Sequence, residues 1–265
     1  MTPPPLPGTR PGMPAAVRYA GIAVIALVVA SLAYGIYDSA GRARVERTEM
    51  HDAIAQVKDA ALGTHDARPM DGAPQSPVAQ VLLKTKGLIL ALSKKMDAHE
   101  AAINALHLDD VLAPATLANQ QKVRDGKLRI VRFADENRGI MTDYQAYLQD
   151  ARALLGASQG NREGMLREFD AAAAPQTATL KKALLLNIEF ADIVEKVLTL
   201  ADTKHDKFHL KDGHLQIAGP TWDEYDALLT RMHVLLPKLE AAASSLEQLQ
   251  GDITRKLNDA EQAAR

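Results

Sequence analysis

Residues Tyr19 to Tyr37 (YAGIAVIALVVASLAYGIY) hold no charged side chain across 19 consecutive positions, and this stretch limits what the chain can be more than any other. As a helix it would reach ~28 Å at 1.5 Å per residue, close to the thickness of a bilayer's hydrocarbon layer. A membrane, or a signal sequence on its way through one, is the usual reason for such a stretch, and a buried helix of a soluble protein is the plainer alternative. Arg18 bounds the stretch on one side and Asp38 with Arg42 on the other, while Tyr19, Tyr34 and Tyr37 stand where interfacial aromatics stand. A transmembrane helix at 19–37 is therefore expected.

A cleavable signal peptide is the rival, with its apolar region at Ala20 to Ala30 and a small-x-small pair at Ser31 and Ala33. The apolar run continues past that pair and a helical pattern follows at once, which favours an uncleaved anchor. Arginines flank the span on both sides, Arg10 and Arg18 before it and Arg42, Arg44 and Arg47 after it, so charge asymmetry gives no orientation. A short cytoplasmic tail and a large periplasmic domain, in the inner membrane of a bacterium, is the commoner arrangement and the one adopted. Residues 1–18 are rich in proline, which forbids helix and favours extended, disordered chain.

Hydrophobic residues make up 47% of the chain but aromatics only 4%, and Ala and Leu dominate, which favours helix over sheet. Lys and Arg number 31 against 33 for Asp and Glu, interspersed in sign. No basic stripe is available for phosphate contacts, so nucleic acid is not an expected partner. The absence of cysteine excludes a disulfide framework, a thiolate nucleophile or metal ligand, and a lipid anchor on an N-terminal Cys.

The expected fold is all-α: the anchor, then a juxtamembrane helix at 38–62, a Pro/Gly-rich linker at 63–77, and an elongated antiparallel helical bundle over 78–265 with one small β-hairpin near 208–217. Four long patterns build the bundle. The first runs from Pro77 to Leu108, with Val81, Thr85, Leu88, Leu92, Met96, Ile103 and Leu106 near heptad spacing; the second from Pro114 to Leu155; and a short piece, Arg162 to Ala174, leads to Pro175 as the start of the third. The third carries a seam of Leu180, Leu184, Asn187, Ala191, Val194, Leu198 and Ala201, whose single polar member, Asn187, would set register by bonding across the interface. The fourth begins with Thr221 and Glu224 in capping-box spacing and carries Trp222, Tyr225, Leu229, Met232, Leu236, Leu239, Ala243 and Leu246, with Pro237 expected to kink it. These seams pair within the chain if the third and fourth helices run antiparallel, and between chains if the protein self-associates.

Between the last two helices the period changes to two. Phe208 to Ile217 alternates around Asp212-Gly213, a strong two-residue hairpin signal. With those two at the turn, Lys211 faces His214, Leu210 faces Leu215, His209 faces Gln216 and Phe208 faces Ile217. All four apolar side chains then share one side, and the hairpin should lie on the bundle with that side.

The segment Lys207 to Leu229, through Phe208, Gly213, Ile217, Glu224, Tyr225 and Leu228-Leu229, resembles the hairpin-then-helix of an uncharacterised family of bacterial envelope helical lipoproteins. The resemblance implies an envelope location and a helical fold, and no activity. This chain departs from the family in lacking the lipidated Cys, and the 19–37 span takes over the anchoring.

Of the groups with chemical potential, Asp202, His205, Asp206, His209, Asp212 and His214 lie closest together in sequence, and imidazole with carboxylate at short spacing can ligate Zn, Ni or Cu. His205, His209, Asp212 and His214 are the metal candidates, set against a plain exposed turn rich in Asp and His. Glu189, Asp192 and Glu195 sit near Lys182 and Lys196 at helical spacings and read as a solvated face. His51, His65, His99, His107 and His233 are scattered. No Gly-rich phosphate loop, HExxH or nucleophile elbow occurs.

The reading that follows is a membrane-anchored, non-enzymatic envelope protein that scaffolds or binds another envelope protein, or itself, with no cofactor. A ligand-sensing helical bundle and a metal-binding module on the 202–214 cluster are the alternatives.

Overall fold

Ala- and Leu-rich seams wind nearly all of the described chain into helix. The computed structural model describes residues 44–62, 77–157 and 162–264. Its helices are α1 (Arg44–Leu62), α2 (Pro77–Asn104), a single turn α3 (Pro114–Leu117), α4 (Gln120–Gly156), α5 (Arg162–Thr203) and α6 (Thr221–Ala264), with a hairpin of β1 (Phe208–Lys211) and β2 (His214–Ile217) between the last two. The expected tail (1–18), span (19–37) and linker as far as residue 76 fall outside the described residues. Among the described residues no helix is long and apolar enough to cross a membrane.

The described residues group into two compact units, one of residues 99–139 and 182–243, the other of the described residues within 44–98, 140–181 and 244–264. In the first unit α4 and α5 run antiparallel, since Asn137 bonds Asn187 while the earlier Arg124 meets the later Asp202. Phe133, Ile103, Leu117, Leu184 and Leu198 are fully buried there. The end of α2 returns on α4, with His99 against Glu136 and the backbone of Leu106 against Arg129.

In the second unit α4 and α5 again oppose one another, through Arg152 with Asp170 and Tyr144 with Thr177. Lys86 of α2 donates to Gln56 of α1 at 2.9 Å, and Lys95 to Asp143 of α4 at 2.7 Å. Ile54, Leu82, Ile89, Leu155 and Leu180 fill this core.

Three helix boundaries differ from the sequence expectation, each for a local reason. Pro175 does not begin a helix; α5 continues through it. A helical proline leaves the carbonyl four residues back without its donor, but here Pro175 and Ala171 are both on the exposed side, where water supplies one. The same holds for Pro237, exposed with His233 four residues before it, so α6 does not break there. The second pattern, expected unbroken from Pro114, is instead split after Leu117, because Asn119 caps α4 by accepting a hydrogen bond from the Lys122 N–H at 3.0 Å. The first ends at Asn104 rather than Leu108, giving way to a 3-10 turn at Leu108–Asp110 that His107 enters with a left-handed φ of 46°.

The apolar seams hold with small shifts. All seven positions of the third seam, Leu180 to Ala201, are buried. On α2, Ile89 is buried and Leu88 only half-buried; on α6, Leu235 is buried and Leu236 half-buried. A strict seven-residue repeat drifts against a 3.6-residue helix, and a core-facing stripe is wider than two positions per heptad, so the neighbouring residue takes the inward place.

Candidate functional site

The hairpin and its supports concentrate the features that the sequence singled out. Asp212 and Gly213 both have positive φ, 51° and 77°, as a type I′ turn demands. The strands pair antiparallel in the expected register, Lys211 with His214, Leu210 with Leu215, His209 with Gln216 and Phe208 with Ile217. One further bond, Ala218 N–H to Lys207 O at 3.1 Å, extends the ladder.

The apolar side of the hairpin is only partly covered. Both strands contact α3, Phe208 and Leu215 are buried and Ile217 is half-buried, yet Leu210 remains 48% exposed. The Phe208 and Tyr225 rings pack edge to face with centroids 6.1 Å apart, and the Tyr225 and Trp222 centroids lie 6.0 Å apart. Burial pushes the Tyr225 hydroxyl up to about 12, because the phenolate would lose its hydration.

The start of α6 is held differently from the expectation. The N–H groups of Asp223 and Glu224 bond the Pro220 carbonyl, and the Glu224 carboxylate accepts from Lys204 at 2.6 Å. Glu224 thus ties α6 to the end of α5 instead of closing a capping box with Thr221.

The Asp/His cluster is dispersed. The Asp202 carboxylate accepts from Arg124 at 3.2 Å and Gln120 at 3.3 Å, with Lys127 at 3.8 Å. Asp206 pairs with Lys207 at 2.6 Å, and that hydrogen bond holds its carboxyl below the usual range. His205 lies in the 3-10 turn His205–Lys207, while His209, Asp212 and His214 stand exposed on the hairpin. Among the described residues no three His, Cys, Asp or Glu side chains gather in a way that could hold a metal ion.

Arg129 has a role that the sequence did not reveal. Its guanidinium Nη1 donates to the carbonyls of Leu106 at 3.3 Å and His107 at 2.6 Å and to Asp110 at 2.9 Å, pinning the turn between α2 and α3. The left-handed His107 was the missing signal, since a non-glycine residue with positive φ persists only where its surroundings fix it. His99 was equally illegible. It bonds Glu136 at 2.6 Å, and its ring occupies the space left by the missing side chain of Gly139, whose Cβ would stand 2.6 Å from His99 Cε1. Of the other histidines, His51 lies beside Asp52 at 3.3 Å, His233 is exposed, and His65 falls outside the described residues. On the outer side of α5, Lys196 pairs with Asp192 at 2.5 Å.

No family model matches the sequence, and neither the curated proteins nor the solved structures contain one similar to it.

Proposed function

We propose that the chain is a single-span, membrane-anchored protein of the bacterial envelope whose helical part is a non-enzymatic scaffold or interaction module for another envelope protein. The observation that carries this reading is the uncharged 19-residue run from Tyr19 to Tyr37 placed ahead of described residues that are nearly all helical. The likeness of Lys207 to Leu229 to envelope lipoproteins points to the same compartment. Charged groups near the hairpin, Asp202 with Arg124 and Glu224 with Lys204, are spent on each other, which suits structural work better than proton transfer or metal ligation. Side chains held in place on packed helices lose less entropy when a partner docks than those of an unstructured segment.

Photo-crosslinking in intact cells, with the crosslinker placed at exposed positions of the helical part, tests this. One recurrent neighbour, captured from some positions and not others, is the expected result. Capture of no protein above background from any position would overturn it.

A further inference from the structure

The hairpin is a two-stranded sheet, and its register decides which backbone groups each strand spends on the other. Lys211 and His214 flank the two-residue turn and exchange bonds, as do His209 and Gln216 two residues on, and the Lys207 carbonyl is taken by Ala218. Phe208 and Leu210 therefore direct their peptide groups outward. The Phe208 N–H is used locally, on the His205 carbonyl. The N–H and C=O of Leu210 take no partner among the described residues.

On the hairpin's apolar side, Leu210 is also the residue left exposed. Its neighbours on the apolar side, Phe208 and Leu215, are buried, whereas Leu210 is 48% exposed. An unpaired N–H and C=O on the same residue as an exposed leucine is the arrangement that accepts an added strand. The other side of the hairpin restricts what that strand carries. Its four residues, His209, Lys211, His214 and Gln216, are all exposed and include no carboxylate. Lys211 pairs with no acidic group among the described residues.

We propose that the free edge of β1 docks an extended segment of a protein partner that alternates apolar and acidic residues. Its apolar side chains extend the sheet's covered side over Leu210, and its carboxylates lie beside His209 and Lys211. A second copy of this chain fits less well, because β1 laid antiparallel on β1 through the free groups of Leu210 sets Lys211 opposite His209 and offers it no carboxylate. The inference rests on the interaction-module reading and gives it a location and a partner chemistry.

The test uses the full-length protein in mild detergent and a short end-capped synthetic peptide alternating Glu and Val, with amide hydrogen exchange read residue by residue. The expected result is saturable binding that slows exchange at Leu210 and leaves Leu215 and Ile217 unchanged, with a Lys/Val peptide failing to bind. Leu210→Pro removes only an outward N–H, a position where an edge strand tolerates proline, and should weaken binding by about tenfold or more while Lys211 and His214 stay protected. Lys211→Glu should weaken it too. Equal binding to Leu210→Pro with the hairpin intact, slowing at Leu215 and Ile217 instead, no binding at all, or protection of Leu210 that rises with protein concentration without peptide would each overturn the proposal. Peptide binding is read without reference to any cellular neighbour, so its failure and that of the cell crosslinking are separate results.

Discussion

Asn187 Nδ2 donates a hydrogen bond to Asn137 Oδ1 at 2.9 Å, with both residues buried. Asn137 in turn donates to the Phe133 carbonyl at 2.7 Å, so the amide of α4 is oriented by its own helix before α5 reads it. A polar pair in an apolar seam fixes which residues oppose one another, since any slip along the helices leaves both amides dry and unbonded.

Changing Asn187 alone to Ala strands the Asn137 oxygen and should cost about 1–3 kcal/mol in urea denaturation of the full-length protein. Changing both asparagines to Ala should cost less than the sum of the two single changes to Ala, by roughly 0.5–3 kcal/mol of coupling. Additive losses would show that the pair does not act as a unit.

His99 and Gly139 make a second coupled pair. Gly139 lies inside α4, where Ala is ordinarily better by about 1 kcal/mol, yet a Cβ there would meet the His99 ring at 2.6 Å and force it off Glu136. Gly139→Ala should therefore give no stabilisation in the native background and should stabilise by about 0.5–1 kcal/mol once His99 is Ala. Gly87, in α2 with nothing within 4 Å of a Cβ, is the control and should gain stability on its own as Ala. Thermal melts of the five proteins decide it.

The turn chemistry of the hairpin is testable in one residue. At a φ of 77°, Gly213 holds a conformation that a β-branched side chain resists. Gly213→Val should abolish amide protection at Lys211 and His214 and leave the helical circular dichroism signal nearly unchanged. Asp212→Asn should be neutral or slightly stabilising, because Asn suits the first position of this turn.

Tyr225 links stability to alkaline pH. Its hydroxyl titrates near 12 in the folded protein against 10.0 in the unfolded chain, with burial as the cause. The unfolded state loses the proton first, so this residue's contribution is complete below about pH 10 and drains away as pH rises through about 12. Between those values the urea midpoint should fall, and Tyr225→Phe should fall less steeply. Tyr144 and Tyr147, also raised by burial, should ionise only as the second unit unfolds, giving a late step in phenolate absorbance.

Much of this fold was legible because the sequence states it twice, once in composition and once in period. The hairpin register followed from an Asp-Gly pair inside strict alternation, and the Asn187 bond from one polar residue in an otherwise apolar seam. What stayed hidden depended on the far side of a contact. Nothing near Asn187 names Asn137 as its partner, and nothing near Gly139 names His99. Proline was misread at Pro175 for a related reason: whether it breaks a helix depends on whether the freed carbonyl meets water, and that is set by which side of the helix faces the core. Among the described residues the metal candidates do not gather into a group of three. Asp202 belongs to a helix and its carboxylate is held by Arg124, while His209 and His214 belong to the hairpin.

If the segment 19–37 holds the helical part at a membrane, fractionation of cells expressing the full-length chain must show it. After an alkaline carbonate wash the untrimmed protein should stay in the inner-membrane pellet, and protease added to spheroplasts should digest the helical part. Full-length, untrimmed protein recovered in the soluble fraction would contradict the account.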